Sequence, residues 1–360
     1  MTAELIVGTY TERLPHVDGK ADGILACSYA GGTVGDPRLL AQARNPSWVT
    51  ISASGRNVYA VHETVDFEGE AAGGITAYRR DVATGALALL GSRSSAGLAP
   101  AHLALYGSAL VLVANYESGS IAAYSVDEQG GLGDLVGHVQ HSGSSVDPDR
   151  QTGPHAHMIG IDPETRRVLV PDLGLDTVLS YQVSEGGELS ERAAERIAAR
   201  PGAGPRHLAF HPDGQHLFML NEMDSTLVAL RRDGTRFIQT DLKSTLPEFC
   251  TDHSEAAAVL VSATGRHVFA SNRGFDSIAM FRLDPASGKL TLEHVEPTRG
   301  REPRDICQTP DGEYLLVANQ DTHSIVSFAI DEDEPTLRPV SATHVPSPVC
   351  LVFGPGAPRG

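Results

Sequence analysis

The sequence is poor in most of the features that announce a function. It holds four cysteines, one tryptophan and 6% aromatic residues in 360 positions. Cys27, Cys250, Cys307 and Cys350 lie far apart with no C-x-x-C pair, which excludes a zinc ribbon or a dithiol redox centre built from neighbours in sequence. They are expected to stay reduced, with Cys307 and Cys350 in strands. Positive charge is also scarce: 28 Lys and Arg stand against 45 Asp and Glu, a net −17. Such a surface repels a phosphate backbone, and no basic run offsets it, so no nucleic-acid partner is expected. No apolar run reaches the roughly 18 residues of a membrane span. The opening Met-Thr-Ala-Glu lacks the basic and apolar regions of a secretory signal. The expectation is a soluble cytoplasmic protein without a membrane partner.

What is present is a repeat. Ala99-Pro-Ala-His-Leu-Ala-Leu followed by Val111-Leu-Val-Ala-Asn-Tyr matches Gly204-Pro-Arg-His-Leu-Ala-Phe followed by Leu217-Phe-Met-Leu-Asn-Glu. Anchoring on the proline slot gives Pro46, Pro100, Pro154, Pro205, Ala256, Pro303 and Pro348, at steps of 45–54 residues. Six anchors are followed, 15–18 residues on, by an apolar strand ending in a polar pair: His62-Glu63, Asn115-Tyr116, Asp172-Leu173, Asn221-Glu222, Asn272-Arg273 and Asn319-Gln320. The seventh has only Val349-Cys-Leu-Val-Phe after it, while Leu5-Ile-Val-Gly-Thr-Tyr near the start looks like a second strand without a first. Tight-turn dipeptides such as Asp213-Gly214 and Asp311-Gly312 join the strands. A 40–50-residue period with four short strands per unit predicts an all-β, seven-bladed β-propeller of four-stranded blades. It spans residues 1–360 as one domain, and strands from both termini close the ring in one blade, which removes the exposed sheet edges.

Propeller geometry brings the residues after each anchor, and the polar pairs, to one mouth. The first set holds His102, His155, His157, Arg206, His207, Arg304 and Asp305; the second holds His62, Glu63, Tyr116, Asp172, Glu222, Arg273 and Gln320. Packing alone would favour a constant residue at equivalent slots, whereas these vary as an asymmetric pocket requires. The recurrent Asn115, Asn221, Asn272 and Asn319 read instead as turn formers. The long segment Gln140–His157, rich in glycine and proline, reads as a functional loop and supplies Arg150. His155 and His157 would point the same way on a strand, as two metal ligands do, but no third ligand accompanies them and no metal is assigned.

Gly-Pro-His-Ala-His157, Gly-Pro-Arg-His207, Asn221-Glu222, Ser271-Asn-Arg-Gly274, Val317-Ala-Asn-Gln320 and Val345-Pro-Ser-Pro-Val-Cys350 resemble, in combination, the lactonase family of seven-bladed propellers. That family includes 6-phosphogluconolactonases and relatives of the carboxy-cis,cis-muconate lactonizing enzyme. The resemblance implies a catalytic set of His155, Arg206, Glu222 and Arg273; the other mouth residues His157, Tyr116, Glu63, Arg304 and Gln320, with Arg150 of the loop, are expected to bind substrate. Ala258 stands where many relatives carry a glutamate, and Glu255 lies three residues earlier.

The function expected is hydrolysis of a small anionic or sugar-derived lactone, foremost 6-phosphogluconolactone, by a monomer or weak homo-oligomer. His155 would serve as general base, the arginines would stabilise the oxyanion, and no cofactor is required. The rivals are a muconate-type cycloisomerase and a propeller that only binds other proteins.

Overall fold

A computed structural model describes residues 3–331 and 333–354. Seven antiparallel sheets follow one another along the chain and close into a seven-bladed propeller. Blade four is representative. Its strands Pro205–Phe210, His216–Asn221, Thr226–Asp233 and Arg236–Ser244 run from the central channel to the rim. The second strand is buried along its whole length and the outermost is half exposed. The difference follows from position, since an inner strand has a neighbouring blade on both faces and needs apolar residues on both.

The core is accordingly a set of layers between blades. Phe218 and Leu227 of blade four pack on Val268 and Phe281 of blade five. Leu5 and Leu25 pack on Leu316 and Ile325 across the joint between blades seven and six. Closure occurs as the complementary ends predict: Pro348–Phe353 pairs with Ala3–Thr9, with Val7 opposite Leu351 and Leu5 opposite Phe353.

Blade three departs from the pattern. Its inner strand is only Gly160–Ile161, and its rim is divided into Leu189–Glu191 and Ile197–Ala198 by one turn of 3-10 helix, Ala193–Glu195. The stretch preceding Gly160 is irregular, apart from one bridge between Ala156 and Asp172. No helix among the described residues is long and apolar enough to cross a membrane.

Ring closure depends on the packing of the shared blade. Ile6 is 1% exposed and sits among Val49, Val58 and Cys350. Ile6→Ala is expected to lower the unfolding free energy by about 2–5 kcal/mol in urea titration. A loss below roughly 0.5 kcal/mol would mean that this joint adds little to stability.

Candidate active site

The mouth is built by one backbone device used five times. The residue before the proline anchor adopts a left-handed conformation in Asn45, Ala99, Gly204, Glu302 and Ser347. Its carbonyl accepts a hydrogen bond from the second member of the polar pair: Glu63 at 3.1 Å, Tyr116 at 3.0 Å, Glu222 at 2.7 Å, Gln320 at 3.0 Å and Tyr10 at 3.2 Å. These residues are thereby held at one end of the channel. In blades two, four, six and seven the ladder then shifts register immediately after the proline. Such a bulge re-aims one side chain, and in blades four and six the residue at the shift is Arg206 and Arg304.

The asparagines of the pair slots do not face the mouth. Asn115 donates to the Ser95 carbonyl and Ser120 Oγ, and Asn272 to the Thr245 carbonyl and Ser277 Oγ, each fully buried. They tie strands together. His62 occupies the same slot and does likewise through Thr76 Oγ1, 2.6 Å from its Nε2.

Glu222 is the centre of the charged cluster. Its carboxylate accepts from Arg150 Nη2 at 2.6 Å and Arg206 Nε at 2.9 Å, with Arg273 Nη2 at 3.0 Å. Burial alone would raise its pKa, but Arg273, Arg206 and Arg150 outweigh that and hold the carboxyl well below the usual range. Arg206 is 2% exposed and also donates to the Ala257 carbonyl and to His207 Nε2. Burial first, and then the charge of Arg273, pulls its guanidinium below the ordinary value. Glu255 joins from blade five, 2.7 Å from Arg150 Nη1 and 3.3 Å from Arg273 Nη2. A carboxylate thus reaches the site from blade five although position 258 is alanine. Arg273 touches both glutamates off hydrogen-bonding geometry, so its buried Nε and Nη2 have no aligned acceptor.

These groups border a cavity of about 610 Å³ whose wall includes Glu63, Tyr116, Arg150, His157, Glu222, Glu255, Arg273 and Arg304. Arg206 lies just beneath, beside His157, His207 and Arg304. Gln320 stands behind the wall, where its Oε1 accepts from Arg304 at 3.4 Å. His155 is also set back. Its ring stacks on Tyr116 at 4.7 Å, and its Nδ1 meets the Tyr116 carbonyl at 3.0 Å. A carbonyl only accepts, so Nδ1 carries the proton.

His155 and His157 do not point the same way, contrary to the expectation for a strand, because residues 157–159 form none. His157 faces the cavity. It is 6% exposed, its Nδ1 has no hydrogen-bond partner, and burial, followed by Arg206, Arg304 and Arg273, keeps it neutral far below the usual imidazole range.

The insertion before blade three is pinned by His141 Nδ1 to Asp172 Oδ2 at 2.6 Å and by Gln151 Nε2 to the Leu173 carbonyl at 2.8 Å. Arg150 is thereby carried over the mouth. Three contributors escaped the sequence reading. Tyr10 donates to Glu63 at 2.9 Å and lies under Arg304, 5.2 Å from ring centroid to guanidinium. His16 and Glu12 come from the segment around the small hairpin Arg13–Leu14/Val17–Asp18, which lies over the cavity and is braced by Asn45 Oδ1. Tyr10 had a signal, since Thr9-Tyr10 is the polar pair of the divided blade; the hairpin had none.

Below the cavity the channel narrows to Trp48, His102, His157 and His207. Trp48 and His102 lie 4.1 Å apart between ring centroids, and His157 and His207 5.2 Å. Asp305 is buried farther along and accepts from Leu351 N at 2.7 Å.

A seven-bladed propeller with an arginine-rich mouth defines a class, and residues 4–353 match the family described as lactonase, 7-bladed beta-propeller. The chain belongs to this family. It is 33% identical over 353 residues to the 6-phosphogluconolactonase of Bacillus subtilis (strain 168), covering 96% of this chain and 97% of that one. A 6-phosphogluconolactonase of Formosa agariphila is 29% identical, over 93% and 94% of the two chains. The solved structure of the Pseudomonas aeruginosa periplasmic gluconolactonase superposes with a TM-score of 0.90 at 30% identity, covering 98% and 99%.

Burial pushes the Asp305 carboxyl up to about 7, against the opposing hydrogen bonds of Leu351 and Ile306. A carboxyl raised in the folded state keeps its proton there while the unfolded chain loses it, so stability falls as pH rises from about 4 to about 7. Asp305→Asn should remove that fall, a difference on the order of 4 kcal/mol at pH 8. Parallel pH–stability curves for the two proteins in urea titration would contradict it.

Proposed function

We propose that the protein hydrolyses a phosphorylated sugar lactone, 6-phosphogluconolactone to 6-phosphogluconate, in the cytoplasm. The observation that carries this reading is the convergence of Arg150, Arg206, Arg273 and Arg304 around Glu63, Glu222 and Glu255. The same cavity is also lined by Glu117 and by Arg44 with its partners Glu12 and Asp66, so its charge is mixed and the capacity to bind an anion lies in the arginines of this cluster. Arg273 is ion-paired with Glu222 and Glu255, yet its Nε and Nη2 lack an aligned acceptor, and Arg304 makes one long hydrogen bond. Buried guanidinium protons without acceptors are suited to an anion, which they bind through charge-assisted hydrogen bonds. The 6-phosphogluconolactonases among the relatives support the substrate, and unpaired Cys27, Cys250, Cys307 and Cys350 fit a reducing compartment.

In this reading Arg273 and Arg304 grip the anionic substituent and the oxygen on which charge develops as water attacks the lactone carbonyl. Glu222 orients the guanidiniums and remains ionised. His157 accepts the proton of the attacking water and returns it to the departing ring oxygen. An imidazole among cations holds a proton weakly, and the substrate's own negative charge offsets that repulsion. His155, with Nδ1 committed to the Tyr116 carbonyl, positions Tyr116 rather than touching substrate.

The test is acid release from 6-phosphogluconolactone and from unphosphorylated glucono-δ-lactone, each against spontaneous opening. His157→Ala should reduce kcat at least tenfold, within the roughly 10²–10⁴-fold share of a general base, and His155→Ala by less. Arg304→Met should depress kcat/KM for the phosphorylated lactone more than for the plain one. Equal turnover of both lactones by wild type and Arg304→Met would remove the phosphate from the reading. Loss with His155→Ala but not His157→Ala would exchange the two histidines. Turnover of carboxymuconate and of neither lactone would make the protein a cycloisomerase.

A further inference from the structure

On the face opposite the mouth, the turn between the first two strands of blade four brings His211, Asp213 and His216 together, with one ligand atom from each within 4.8 Å of the others. Asp213 Oδ1 lies 2.9 Å from His211 Nδ1, and Asp213 Oδ2 lies 2.8 Å from His216 Nδ1. The two rings stand 5.7 Å apart at 80°. We propose that His211 Nδ1, Asp213 and His216 Nδ1 form a binding site for a divalent transition metal of the zinc class, separate from the cavity of the mouth.

The repeat supplies the internal control. The same turn occurs in blades one, five and six, where its first position is Ser52, Ser262 or Thr309. There the hydroxyl accepts the backbone N–H of Asn57, His267 or Tyr314 at 3.0–3.1 Å and meets the side chain two residues on. In blade four Asp213 Oδ1 takes that backbone N–H itself, at 3.1 Å from His216 N. His211 Nδ1 accepts the Asp213 backbone N–H at 3.2 Å as part of the turn, whereas the His216 ring takes no part in the backbone bonding and pairs with the Asp213 carboxylate.

The tautomer of His211 points the same way. Its Nε2 lies 2.8 Å from the Gly265 carbonyl, which only accepts, so the proton is on Nε2; the Nδ1 lone pair, beside the Asp213 carboxylate, accepts the Asp213 backbone N–H at 3.2 Å, the contact a metal ion would replace. A carbonyl on the far nitrogen is the usual partner of a metal-bound histidine. Gly265 also leaves the room, since a Cβ there would come within 2.6 Å of His211 Nε2. Two imidazoles and a carboxylate are a donor set for zinc, cobalt or nickel and a poor one for calcium or magnesium. The histidines are 11% and 4% exposed, while Asp213 at 31% leaves a side open to water.

The probes are Zn²⁺ in calorimetric titration of metal-free protein and Co²⁺ followed by its visible absorption. One equivalent of Zn²⁺ should bind, raise the thermal midpoint and resist millimolar Mg²⁺ and Ca²⁺. His211→Ser and His216→Tyr copy residues that the turns of other blades already carry, and Asp213→Asn keeps the acceptor while removing the charge. Each should weaken Zn²⁺ binding beyond the roughly 10–100-fold that loss of a supporting partner costs. Absence of stoichiometric binding to wild type overturns the proposal. So does binding that survives in the folded variants, which would place the metal elsewhere.

Discussion

One buried carboxylate organises the functional end of this propeller. Glu222 meets Arg150, Arg206 and Arg273, which arrive from the loop before blade three, the inner strand of blade four and the second strand of blade five. Like charges this close and this dry repel strongly, and without a shared counter-ion they would not lie side by side. The arrangement is not primarily a source of stability, because the desolvation of buried charges consumes most of what their attraction returns. Its effect is positional. Guanidiniums that would otherwise swing toward water are held facing one cavity, with part of their hydrogen-bonding capacity unused.

The rest of the fold serves that placement. Interblade layers such as Phe218 and Phe281 make a rigid ring, and the proline-led turns of five blades each deliver one variable residue to the mouth. The overall charge of −17 makes the arginine cluster at the mouth a local exception, sustained because charge at the far rim is screened over about 10 Å. Free Glu63 and Tyr10 side chains would add negative charge and a polar hydroxyl to the mouth, yet they bond to each other at 2.9 Å and complete the wall beside Arg304.

The ring was legible because spacing and apolar alternation recur seven times, and the ends of the chain share one repeat. Much of the site was legible too, since equivalent slots of a repeat must converge; Arg206, Glu222 and Arg273 meet as that logic requires. What escaped depends on local backbone. His155 and His157 were expected to share a direction, but the irregular path after Pro154 turns one behind Tyr116 and the other into the cavity. Tyr10 fills the polar-pair slot of the divided blade, whose anchor Pro348 lies at the other end of the chain, so spacing along the sequence does not connect the two. His16 and Glu12 belong to the segment of a two-stranded hairpin that, among the described residues, has no counterpart in the other blades, so no repeat can report them. Glu255 compensates for Ala258 through the register of the inner strand of blade five, in which Glu255 lies opposite Arg273, a relation that sequence distance does not display.

The central claim is that Glu222 acts by holding the guanidiniums in place. Glu222→Gln keeps the shape and removes the charge, so the direct measurement is kcat/KM for 6-phosphogluconolactone in that variant, with circular dichroism to establish that it folds. Displacing a catalytic group by about 1 Å can lower the rate some 10²-fold, and a loss of that order is the predicted result. A folded Glu222→Gln protein that turns over the phosphorylated lactone like wild type would contradict the account.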